Sequence, residues 1–224
     1  MKATLAVVLT TTLMSSAMAA FTLNGTRFIY EEGKKNISLE ITNNAEETYG
    51  GQVWIDNVSQ GSTEVFMVPS PPVFKLNAGG KHVIRLINVN PALPTDRESM
   101  FRINAQELPP KPKFTEGGGI AIAMNTQIKL IYRPKTLVEG RKDAEKKLTT
   151  VTKGTTWIKN PTPYYFAVTG VKVNGKAVPL PKGKEAGLAM LAPFSEVDTG
   201  VNLNGKVTLQ AINDWGGVQD YAIE

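Results

Sequence analysis

Cysteine is absent and histidine occurs once, at position 82. The first absence excludes thiol catalysis, disulfides and cysteine metal sites. The second removes histidine-based zinc clusters and leaves any serine hydrolase with one histidine to recruit and no G-x-S-x-G segment. Beyond the first residues no apolar run reaches the roughly 18 residues of a membrane-spanning helix, so no membrane span is expected. Charge of one sign is not concentrated: 25 Lys and Arg stand against 20 Asp and Glu, net +5. That is too even for a nucleic-acid platform, and no nucleic-acid partner is expected. No glycine-rich phosphate loop is present, and no cofactor, metal or catalytic residue is expected.

What is present begins with MKATLAVVLTTTLMSSAMAA, which has a lysine at its start, an apolar middle and small residues at its end. This reads as a secretory signal peptide over residues 1–19, cleaved after Ala19 by the small-x-small rule, with Ala17 and Ala19 as the small residues. An exported chain without disulfides must hold by burial alone. Its length and 42% hydrophobic content allow that.

After the signal the pattern is β throughout. NISLEITN, YGGQVWIDN, KHVIRLINV and MFRINAQEL alternate apolar and polar residues between Gly, Pro and Asn-rich turns, the spacing of a sandwich. VKVNGKAVPL and VNLNGKVTLQ predict hairpins centred on Asn174-Gly175 and Asn204-Gly205, because both turn positions favour positive φ. TLVEGRKDAEKKL is helix-like or loop-like, and its charge run reads as solvated surface. Proline after Arg133 ends a long strand, so a boundary is expected there. The first domain then runs over 20–138 and the second over 139–224.

The strand before that boundary, GGGIAIAMNTQIKLIYRP, sets Ile120, Ile122, Met124, Thr126, Ile128, Leu130 and Tyr132 on one face. Periodicity alone turns this row toward its own core. The three glycines and the preceding PPKPK instead suit an edge segment, and an apolar edge invites strand addition by a partner. Arg27 and Lys129 are cations within β-prone strands. By themselves such residues keep stems on the sheet and heads in water; brought together they would form an anion hole. His82 reads as a packing residue. The carboxylates of Glu31-Glu32 and of Glu46-Glu47 point to opposite faces of a strand and form no acid-base pair.

Several segments together resemble the periplasmic pilus chaperones of the PapD-like family: TRFIY, PPVFKL, DRESMFRINAQELPP, TQIKLIYRP, NPTPYY and INDWGG, in the family's order across both halves. The resemblance implies two immunoglobulin-like β-sandwiches joined by a short hinge into an L. It implies a non-enzymatic chaperone that binds fimbrial subunits by donor-strand complementation and delivers them to an outer-membrane usher. In that family the lending strand inserts alternating apolar residues into an incomplete subunit, and the matching positions are Ile120, Ile122 and Met124. Burying three such side chains is worth on the order of 5 to 9 kcal/mol before ordering costs. The family's anchor for the subunit's C-terminal carboxylate falls on Arg27 and Lys129, and its interdomain charge network on Glu98, Arg133 and Asp214.

Only nine residues separate Pro110 from Ile120, which places the chain with the short-loop branch. The cysteine pairs found in some members are missing. The exposed row also suggests a self-capping dimer in the free protein. A second reading from another class is a secreted two-domain carbohydrate-binding adhesin that uses loop aromatics such as Trp54 or Tyr164-Tyr165.

Overall fold

The computed structural model describes residues 19–111 and 121–223; the signal segment over 1–18 and Ile120 lie outside them. The first half forms β1 (Phe21–Leu23), β2 (Arg27–Glu31), β3 (Ile37–Asn43), β4 (Tyr49–Asn57), β5 (Met67–Ser70), β6 (Val73–Leu76), β7 (Lys81–Asn88), β8 (Ser99–Leu108) and β9 (Asn125–Arg133). They make a four-stranded sheet in the order β1-β3-β7-β5 and a five-stranded sheet in the order β2-β9-β8-β4-β6. Alternation does the work that the sequence implies. Leu39, Ile41, Ile84 and Leu86 from one sheet meet Val53, Phe101, Ile103 and Leu130 from the other in a single core. Each buried side chain of this size contributes about 1.5 to 3 kcal/mol. His82 is a packing residue, its ring stacked on Phe74 at 4.8 Å.

The second half forms β10 (Thr149–Lys153), β11 (Thr155–Lys159), β12 (Ala167–Val173), β13 (Lys176–Ala177), α1 (Lys184–Ala189), β14 (Glu196–Asp198), β15 (Val207–Ile212) and β16 (Val218–Ala222). Sheets β10-β11-β14 and β13-β12-β15-β16 enclose a second core that includes Ile158, Val171, Leu191 and Leu209. The two cores share no residue. The molecule is all-β, two sandwiches in one chain.

Each sandwich is pinned by a buried asparagine. Asn43 Nδ2 donates to the carbonyls of Glu47, Leu76 and Asn77, while its Oδ1 accepts from Ala45 N. Asn160 Nδ2 donates to Tyr164 O and Ala192 O, and its Oδ1 accepts from Thr162 N and Oγ1. Loop carbonyls that would otherwise be buried unpaired are satisfied in this way.

The structure corrects three expectations. Asn174 and Gly175 do form a two-residue hairpin turn with φ of 49° and 80° between the partners Val173 and Lys176. Asn204-Gly205 does not: β14 pairs with β11, so the segment before β15 crosses between sheets instead of folding back on its neighbour. A crossing held by Leu203 N on Thr156 Oγ1 and Lys206 N on Asn174 Oδ1 replaces the turn.

The charged run after Pro134 forms three short 3-10 turns, Lys135–Leu137, Glu139–Arg141 and Ala144–Lys147, and it is not all solvated. Arg141 and Glu145 are buried and paired at 2.9 and 2.7 Å. An i,i+4 pair can enter an interior because each charge is the other's partner. The third correction concerns the apolar row before the boundary. Leu130 and Tyr132 do line the core, but the row leaves it toward Met124 and Ile122.

Candidate functional site

β9 is held differently along its length. From Lys129 to Tyr132 it lies between β8 and a parallel β2, with Arg27 opposite Lys129 and Tyr30 opposite Tyr132. From Asn125 to Ile128 it pairs with β8 only, so among the described residues its other edge is open. Before Asn125 the chain leaves the ladder, although Met124 O still accepts from Glu107 N at 2.8 Å. Ile122 is 74% exposed and Met124 44%. An apolar row thus runs out of a closed core along an unpaired edge, and such an edge can add a strand from another chain.

Arg27 and Lys129 stand side by side where that open edge ends. Both are half-buried, and each head is bonded to a main-chain carbonyl. Arg27 Nη1 donates to Ile212 O at 2.9 Å and Lys129 Nζ to Ala189 O at 2.5 Å, both across to the second sandwich. Burial lowers the Lys129 pKa, and the neighbouring charges of Arg27 and Arg102 lower it further. Burial lowers that of Arg27 as well. Arg27 Nε is buried without a partner. Two cations held close, supplied with neutral carbonyls in place of a carboxylate, are relieved by an incoming anion.

Glu98, Arg133 and Asp214 do come together, between the sandwiches. Arg133 Nε donates to Glu98 Oε1 at 2.6 Å, and its Nη1 and Nη2 donate to Asp214 Oδ2 and Oδ1 at 2.7 and 3.2 Å. Glu98 also accepts from Tyr165 N at 2.7 Å. Glu98 is 1% exposed and Arg133 4%, so this is a buried network and not a solvated one. Burial raises the pKa of Glu98 against the pull of Arg133. Burial also opposes the charge of Asp214, but its bonds and field from Arg133 outweigh that and leave its pKa lowered. Met100 and Ile131, partners across β8 and β9, are buried yet belong to neither core.

Two site features escaped the sequence reading. Arg141 reaches Asp214 Oδ1 at 3.5 Å and so extends the interdomain network. Arg102 lies opposite Lys129 on β8, and only its position within an alternating strand could have marked it. Two of the aromatics suggested for carbohydrate are not loop platforms: Trp54 lies within β4, opposite Asn104, and Tyr164 is buried with its hydroxyl on Leu137 O. Among the described residues the most exposed aromatic is Trp215, at 92%.

The sequence matches two family models, "Pili and flagellar-assembly chaperone, PapD N-terminal domain" over residues 20–138 and "Pili assembly chaperone PapD, C-terminal domain" over 143–223. It is 47% identical over 212 residues to the chaperone protein FanE of Escherichia coli, covering 94% of this chain and 92% of that one. The chaperone protein FaeE of Escherichia coli is 38% identical, with 93% and 80% covered. Among solved structures, the periplasmic chaperone SfaE superposes with a TM-score of 0.73 at 32% identity, covering 91% of this chain and 98% of that one. The fold alone is shared with a chain of the Salmonella enterica SafA pilin–SafB chaperone complex, at a TM-score of 0.78, 24% identity and coverage of 93% and 97%. With both halves matched in order, the chain belongs to the PapD family of pilus-assembly chaperones.

Proposed function

We propose that this protein is a non-enzymatic periplasmic chaperone that captures fimbrial subunits by lending them a strand and hands them to an outer-membrane usher. The observation that carries the reading is the juxtaposition on β9. An open edge bearing Ile122 and Met124 leads straight to Arg27 and Lys129, where β2 begins. A subunit strand that fills this edge, with its C-terminal carboxylate on the two cations, must run parallel to β9 and continue the line of β2. Ile122 and Met124 then face the subunit's unfinished core; Ile120, the third residue of the row, lies outside the described residues. The lent edge ends at Ile128, because β2 occupies it from Lys129 onward.

The carboxylate sets register. Side chains alternate every second residue, so a slip of one would turn the wrong face inward. Each charge-assisted hydrogen bond contributes roughly 1.5 to 3 kcal/mol. Glu98, Arg133 and Asp214 fix the angle of the cleft in this reading, with the domain boundary after residue 138. Export requires removal of the signal after Ala19. In the free protein a second copy covers the exposed row, which sedimentation would reveal as a dimer and refute as a monomer across micromolar concentrations.

The test is periplasmic co-expression with fimbrial subunits, comparing wild type with Arg27→Ala and Lys129→Ala by copurification. The complex is expected to be lost while each variant keeps its β-sheet circular dichroism. Unchanged complexes in both variants would refute the anchor.

A further inference from the structure

The two anchoring cations belong to a longer row. Arg27 on β2 pairs with Lys129 on β9, Lys129 with Arg102 on β8, and Arg102 with Asp56 on β4. Directly opposed residues present their side chains to one face of a sheet, and strands are about 4.8 Å apart, so three cations span about 10 Å. None of the three is in an ion pair among the described residues. The charged neighbours that act on Lys129 are the two other cations. Asp56 offsets one charge at the β4 end of the row but makes no ion pair with Arg102; its Oδ2 accepts from Asn104 Nδ2 at 2.8 Å.

Between Lys129 and Arg102 the cleft opens into a cavity of about 160 Å³, also lined by Met100, Gln127, Ile128 and Met190. The Met100 and Met190 thioethers give it apolar walls, which strengthens any charge interaction inside it. Counting one charge per residue, Arg27, Lys129, Arg102 and Asp56 sum to +2. A terminal carboxylate leaves +1, and a second carboxylate brings the row to zero.

We propose that Arg102 and Lys129 form a second carboxylate seat, in this cavity, for an Asp or Glu side chain close to the C-terminus of the subunit. The proposal rests on the function proposed above and adds a preference to it. The terminal carboxylate sets register at Arg27 and Lys129. The acidic side chain, reaching across Lys129 to β8, selects which subunit tails are held. Arg102 is a binding residue in this arrangement, and its fork suits a carboxylate better than a single ammonium does.

The experiment titrates full-length mature protein with short synthetic peptides of alternating Val and Thr. One Glu is walked through the positions nearest a free C-terminus, with matched Gln peptides and C-terminally amidated peptides beside them. One Glu placement is expected to bind wild type about tenfold more tightly than its Gln match, a difference of about 1.4 kcal/mol. The preference is expected to vanish in Arg102→Gln and to survive in Arg102→Lys, while amidation weakens binding to all three proteins. Equal binding of Glu and Gln peptides, with amidation still harmful, would overturn the second seat and leave the first standing. The same holds for a Glu preference that persists in Arg102→Gln. A wild type indifferent to amidation would remove the terminal seat and the two-seat arrangement with it.

Discussion

Arg133→Met is the substitution that most directly tests what holds the two sandwiches in their relative position. Methionine keeps the length and apolar stem of arginine but leaves the Glu98 carboxylate, 1% exposed, with Tyr165 N as its remaining partner. Asp214 suffers less, since Arg141 stays within 3.5 Å and its side chain is 19% exposed. Breaking a buried pair by removing one member costs about 3 to 5 kcal/mol. With a urea dependence of about 2 kcal/mol per molar, the midpoint should fall by roughly 1.5 to 2.5 M.

The double variant Glu98→Gln with Arg133→Met removes both charges, and its cost should fall short of the sum of the singles by about 2 kcal/mol. The defect should also depend on pH. Burial already raises the folded-state pKa of Glu98, and losing Arg133 raises it further. A carboxyl with a raised folded value stabilises fully only below its unfolded pKa, so the Arg133→Met defect should be small in acid and grow as pH rises above the ordinary glutamate range. Urea unfolding at pH 5 and pH 8 reads both effects. A cost under about 1 kcal/mol at pH 8, or strictly additive singles, would refute the reasoning.

Gly51→Ala should cost about 1 to 3 kcal/mol, because an added Cβ would lie 2.2 Å from the Phe74 ring, which is itself wedged against Phe21 and His82; a change under about 0.5 kcal/mol in urea would show that the ring yields freely. Asp198 accepts from Lys184 Nζ, Thr155 Oγ1 and Gly200 N, which together take its pKa down to about 2. Its contribution to stability is therefore present above the usual aspartate value and lost as pH falls through about 2. Asp198→Asn should flatten the acid limb of a melting-temperature profile, and parallel limbs in the two proteins would count against this.

The strands were legible because alternation is local. NISLEITN buries one parity against an opposing sheet, and MFRINAQEL sends Phe101, Ile103 and Ala105 into the same core, although Met100 and Asn104 on its other face are buried as well. The turn at Asn174-Gly175 was legible for the same reason, since positive φ is a property of the residue pair. Its twin at Asn204-Gly205 failed because a hairpin also needs a neighbouring strand to return to, and that is decided by the sheet as a whole. Arg141 and Glu145 read as surface because composition cannot reveal that two charges will shelter each other. The helix α1, six residues with a glycine inside, carries too little period to stand out.

The meeting of Arg27 with Lys129 is non-local in the fullest sense. A parallel pairing across more than a hundred residues left no trace in either segment, and only the family resemblance anticipated it. Arg102 lacked even that signal, although it completes the row.

β2 begins where the open edge of β9 ends, and on the proposed function this makes the cleft a gauge of chain ends. A subunit strand lying along β9 meets the start of β2 head-on, so there is no track for residues beyond the terminal carboxylate. What is inspected at that point is completeness. A subunit truncated by a residue falls short of the cations, and one carrying a C-terminal extension runs into Arg27. A fusion or tag at the C-terminus of such a subunit would therefore block its capture.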